Sequence, residues 1–330
     1  MKEIAGINKT VSDLLRAKKY TIHYYQREYR WGKKQIEELI DDLVDEFNEY
    51  YDERHERKDG ENYGHYYLGS VVITDDAEHA IIDGQQRLTS LTLLLIYLNN
   101  LQKERPEDER VFINDLIFSE KRGLKSFNIH VDEREPCLNA IYKGEAFDST
   151  KQPESVQTIY SRYEDIKEIF PEDLKERALP FFIDWIIDKV DLVEIKAKTE
   201  QDAHKIFVSM NDRGLSLTPT EMLKGYLLSE IKNDSERNRA NDLWKQQIFS
   251  LKNLDPDSKE EDADFIKTWL RSQYAQTIRE TKKGAVKEDF DLIGTEFHKW
   301  TRENAKTIGL KRSSDYEEFV LKEFKRWLQN

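Results

Sequence analysis

The chain has 330 residues, a net charge of −13, 35% charged and 38% hydrophobic residues, and one cysteine. That length supports a substantial core and usually two domains, while the acidic balance excludes a uniformly basic nucleic-acid binder; any DNA contact must use a local basic patch. A single cysteine excludes an intrachain disulfide or a thiolate zinc site, no apolar run reaches the length of a membrane span, and Met1–Asn8 lacks an apolar signal core, so a soluble, cytoplasmic protein is expected.

The first informative segment is His23-Tyr24-Tyr25-Gln26-Arg27-Glu28-Tyr29-Arg30-Trp31-Gly32, with two arginines and four aromatics in nine residues. Rings and guanidinium groups at that density suit a nucleotide or nucleic-acid pocket, although Tyr25, Tyr29 and Trp31 can equally be core anchors. An amphipathic helix follows. Ile36, Leu39, Ile40, Leu43, Val44 and Phe47 form its apolar stripe, with Glu37, Glu38, Asp41, Asp42 and Asp45 opposite. Residues 52–62 are charged and expected to be a mobile connection.

Two strands come next, Tyr67–Ile73 and Ala80–Ile82. They lead into Asp83-Gly84-Gln85-Gln86-Arg87, and then into a helix carrying Leu88, Leu91, Leu94, Leu95, Leu98 and Leu101 at helical spacing. A strand turning through glycine into a helix aims several unpaired N–H groups at one spot, and the macrodipole favours a phosphate or carboxylate there. Arg87, a cation in the first turn, opposes the dipole and calls for an anionic partner. The plain alternative is an ordinary turn with Asp83 as cap.

From 103 to about 188 the pattern is helical and irregular, broken at Pro136, Gly144, Pro153 and Pro171, and reads as an insertion. Asp191–Ala197 alternates as a half-buried strand, and a helix from about Gln201 is expected to stop at Asn211-Asp212-Arg213-Gly214. Thr218, Pro219 and Glu221 spell a capping box opening the next helix. Further helices fill the C-terminal region, where Trp269 reads as core and Arg271 as a candidate to face a ligand. Lys33-Lys34, Lys121–Lys125 and Arg279–Lys287 are the basic segments, each a solvated face or a DNA contact.

The set YYQREYRW, YLGSVVI, IIDGQQRLTSLTLLL and FVSMNDRGLSLTPTEMLKGYLL, spanning roughly residues 8 to 230, resembles the N-terminal domain of GmrSD-type modification-dependent restriction endonucleases, long catalogued as domain of unknown function 262. That family is similar in fold to the ParB/sulfiredoxin group. The resemblance implies an α+β fold, a small mixed sheet with helices, over residues 1–231. It also implies a helical insertion at about 103–188 and a mostly helical C-terminal region over 232–330, continuing into a nuclease domain outside this chain.

It implies binding and hydrolysis of a nucleoside triphosphate with Mg²⁺, coupled to recognition of modified phage DNA and licensing of a His-Asn-His type nuclease domain or subunit. Asp83, Gln86 and Arg87 match the hydrolysis motif. Gln26, Arg27, Arg30, Gly84, Gln85 and Asn211 match nucleotide-binding positions. Asp83, Asn211 and Asp212 are the metal candidates, with Asp83 open between metal ligand and water-positioner. The seven histidines are spread too thinly for the nuclease site itself. The alternative is a non-hydrolysing, nucleotide-gated module binding DNA or protein, which predicts shape change or assembly into a homo-oligomer. No P-loop pattern occurs.

Overall fold

The computed structural model describes residues 6–22, 28–75, 79–121, 124–198, 202, 206, 218–252, 261–275 and 289–324. These fall into two compact units, one built from residues up to 206 and one from residues 218 onward. The fold is α+β.

The first unit contains strands β1 (Gly6–Thr10), β2 (Tyr20–Ile22), β3 (Tyr66–Thr74), β4 (Ala80–Asp83), β5 (Phe118–Lys121), β6 (Leu124–Phe127), β7 (Ile129–His130) and β8 (Val190–Ala197). Its helices are α1 (Val11–Leu15), α2 (Lys33–Asn48), α3 (Gln85–Leu101), α4 (Asn114–Ile117), α5 (Glu135–Lys143), α6 (Glu154–Ile169) and α7 (Leu179–Lys189). Six strands form one mixed sheet in the order β1-β8-β3-β4-β2-β7, while β5 and β6 make a separate two-stranded ribbon. β8 runs antiparallel to β1 and parallel to β3; β4 is antiparallel to β3 and parallel to β2. The stretch read as helical and irregular thus also supplies the ribbon and, through β7, one edge of the sheet.

α2 buries Ile36, Leu39, Ile40, Leu43, Val44 and Phe47, the stripe its periodicity announces. α3 differs: Thr89, Ser90, Thr92 and Leu93 are buried along with the leucines, so the helix is enclosed all round rather than on one stripe. Two of its buried hydroxyls bond back to the preceding turn, Ser90 Oγ to Gln86 O and Thr92 Oγ1 to Leu88 O, each at 2.9 Å, while Thr89 Oγ1 has no hydrogen-bond partner among the described residues. Residues 57–62, expected to be mobile, form a 3₁₀ turn (Arg57–Asn62) held by an Arg57–Asp184 ion pair and by the Lys189 ammonium on Glu61 O. Cys137 is buried, and burial pushes its thiol up to about 12, which makes it an inert core residue.

The second unit is a helical bundle of α8 (Pro219–Ser229), α9 (Asp234–Lys252), α10 (Glu261–Tyr274), α11 (Asp289–Asn304) and α12 (Ser313–Glu318), the last running into a π-type turn over Phe319–Phe324. The predicted capping box opens α8: Thr218 N donates to Glu221 Oε2 at 2.9 Å and Glu221 N to Thr218 Oγ1 at 3.2 Å. Leu223, Leu227 and Leu228 of α8 pack into the core with Trp244, Trp269, Trp300, Phe319 and Phe324. Trp269 is core, as read. The Arg271 guanidinium lies 4.0 Å over the Phe290 ring and its Nε donates to Phe290 O at 3.0 Å. No helix among the described residues is long and apolar enough to cross a membrane.

Candidate functional site

The Asp83–Arg87 turn sits where β4 ends and α3 begins. Asp83 is the last residue of β4, paired with Val72 of β3, and is half-buried. Gly84 adopts φ +91°, a left-handed conformation that a side chain would strain. A Cβ there would also press to 3.2 Å from Ser70 O and 3.3 Å from the Val71 backbone, so glycine lets the turn lie flat on β3. The 17-residue α3 then starts without any side-chain cap. Leu88 N is the first amide to reach back to Gly84 O, so the amides of Gln86 and Arg87 lie ahead of the helical ladder.

Gln86 is buried, and its side chain grips the segment entering α2. Its Oε1 accepts from Arg30 N at 2.7 Å and Trp31 N at 3.1 Å, while its Nε2 donates to Glu28 O at 3.0 Å. The amide assigned to hydrolysis by resemblance is therefore committed to the backbone of residues 28–31. Tyr29 completes the grip. It is 1% exposed, and because Ser90 Oγ donates to Gln86 O, the Tyr29 hydroxyl donates to Ser90 Oγ at 2.7 Å. Burial pushes its phenol up to about 12. Tyr29 is a core anchor, and Trp31 packs half-buried against the same core. Arg30 is exposed, its backbone tied to Gln86.

Arg87 turns away from the helix axis onto β3. Its guanidinium Nη1 donates to Ser70 O at 2.9 Å. The guanidinium rests on Gly69, which has φ +130° and marks a register shift in the β3–β8 pairing; a methyl there would come within 2.8 Å of the Arg87 guanidinium carbon. The described partner is thus a carbonyl rather than the anion expected. Tyr66 is nearby: burial and the Asp42 carboxylate raise its phenol, and Arg87 opposes that rise. Gly69 was missed in the sequence, although a glycine inside a strand pattern is the usual sign of a bulge or a close approach.

The structure therefore brings 28–31, 69–70 and 83–87 together. Gln26, Arg27, Asn211 and Asp212 lie outside the described residues. Of the metal candidates only Asp83 is described, and among the described residues no cluster of three His, Cys, Asp or Glu side chains is arranged to hold a metal. A single carboxylate fits Mg²⁺, which keeps most of its waters and takes further oxygens from phosphates.

A family profile described as GmrSD restriction endonuclease, N-terminal domain, matches residues 11–228, about two thirds of the chain. The chain belongs to this family. No curated protein matches it. Both contacting segments of the site, 28–31 and 83–87, fall within the span matched by the GmrSD N-terminal domain, as do Asn211 and Asp212. Membership makes the chain a module of a restriction system.

Proposed function

We propose that this GmrSD N-terminal domain binds and hydrolyses a nucleoside triphosphate with Mg²⁺ in a cytoplasmic anti-phage restriction system. In that role it senses modified phage DNA and licenses a His-Asn-His type nuclease domain or subunit. The observation that carries the reading is the Gly84 turn. It presents the uncapped start of a 17-residue helix, with the 28–31 segment clamped alongside by Gln86. Backbone amides at such a start bind polyanions. Arg30 stands on the clamped segment, and Arg87, held at one end by Ser70 O, retains further donors for a phosphate oxygen.

In this reading Gln85 and Gln86 contribute their amides and Gly84 the close approach. Gln26, Arg27 and Asn211 are nucleotide contacts by resemblance. Asp83, with Asn211 and Asp212, would hold Mg²⁺, which when bound neutralises phosphate charge; alternatively, Asp83 orients water. The side-chain amide of Gln86 acts as a positioning group.

A second reading has one observation in its favour. Both Gln86 and Arg87 spend side-chain hydrogen bonds on backbone, which suits a nucleotide-gated clamp that binds without turnover. Phosphate release from ATP, GTP, CTP and UTP with Mg²⁺, with and without modified phage DNA, separates the two. Turnover is expected for at least one nucleotide. Binding without turnover selects the gated clamp, and no binding under any condition removes both.

A further inference from the structure

Arg134 lies in the charged run Asp132-Glu133-Arg134-Glu135, yet it is 3% exposed. Burying a guanidinium is unfavourable unless it is paired and hydrogen-bonded. Its position adds a second cost, because Arg134 is the N-cap residue of α5, where a cation opposes the helix dipole. A residue placed twice against its electrostatic interest calls for another reason to be there. Its Nη2 reaches Glu28 Oε2 at 3.5 Å, and it acts electrostatically on Tyr29 as well. Glu28 is the residue whose carbonyl receives the Gln86 amide.

A second arginine approaches the same segment from another helix. Arg162 of α6 donates from Nη1 to Trp31 O at 3.3 Å, while its Nε is fixed by Asp165 at 2.5 Å. Residues 28–31 are thus held by α3, through Gln86 and Ser90, and also by two arginines of the 103–188 insertion. Buried ion pairs contribute little net stability, but they fix register well.

We infer that Arg134 and Arg162 are positioning residues: they set the 28–31 segment against the Asp83–Arg87 turn and so make nucleotide affinity depend on the insertion. This rests on the nucleotide reading above, and the test separates the two. Amide hydrogen exchange is followed in 28–31 and in α11 for the whole chain and for Arg134→Met, Arg134→Lys and Arg162→Gln, alongside nucleotide KM and kcat.

Faster exchange confined to 28–31 is expected in Arg134→Met and Arg162→Gln, with partial rescue in Arg134→Lys. KM should rise by roughly tenfold while kcat stays within about twofold. Unchanged exchange at 28–31 in both arginine-loss variants overturns the inference. If Arg134→Met loosens the whole chain, Arg162→Gln alone decides. If the unaltered chain binds no nucleotide, the nucleotide reading falls, and the exchange arm still decides the positioning role.

Discussion

Each unit seats an arginine on a glycine, and the two seats differ in what they leave over. In the helical unit the Arg271 guanidinium lies on Gly294, stacks on Phe290 and gives its Nε to Phe290 O. In the mixed-sheet unit Arg87 lies on Gly69 and gives Nη1 to Ser70 O, next to a helix start with no side-chain cap. A close arginine–glycine approach is therefore not in itself the mark of a ligand site. What distinguishes the Arg87 seat is the set of donors beside it and the Gln86 clamp that holds a second arginine-bearing segment there.

The strongest way to break this comparison is to remove the clamp. Gln86→Leu deprives two backbone N–H groups and one carbonyl of their partner and is expected to cost about 2–4 kcal/mol, read as a fall in denaturation midpoint. A loss near zero would mean that the 28–31 segment holds itself in place.

The alkaline limb tests the buried anchor of the same clamp. The Tyr29 phenol is raised from 10.0 to about 12, so its contribution is full below pH 10 and is lost as pH rises toward 12. A shift of that size corresponds to about 2–3 kcal/mol. Tyr29→Phe should therefore flatten the fall in stability between these pH values, followed by chemical denaturation at each pH. An unchanged slope would place the hydroxyl in water.

Turning to the arginines, Arg87→Ala should weaken triphosphate binding by about ten- to hundredfold, equivalent to about 1.5–3 kcal/mol, whereas Arg271→Ala should leave calorimetric affinity unchanged. Equal effects would erase the distinction between the two seats. The glycines give the smallest effects. Gly69→Ala forces a side chain into φ +130° and should cost about 1–3 kcal/mol. Gly294→Ala meets only the end of a flexible side chain within a helix and should cost less than about 1 kcal/mol.

The parts of this arrangement that were legible in the sequence are those set by local chemistry. Gly84 between a strand and an apolar helix announced the turn, Thr218 and Glu221 announced the start of α8, and the α2 stripe matched its buried face residue for residue. What escaped notice depends on distant partners. β7 has two residues and the ribbon strands four each, too short for alternation to register, and the parallel pairing of β3 with β8 joins segments more than a hundred residues apart. Arg134 and Arg162 drew no reading from the sequence because their partners, Glu28 and Trp31 O, lie more than a hundred residues upstream. The Gln86 side chain was read by its motif alone, and only the fold reveals the backbone it holds.

The most direct test of the central claim is a crystal structure of the chain with a non-hydrolysable triphosphate and Mg²⁺. Phosphate oxygens are expected within hydrogen-bonding distance of the Gln85–Arg87 amides, with the Arg87 guanidinium turned to meet one of them. A nucleotide bound elsewhere, with the Gly84 turn covered by neighbouring side chains, would contradict it.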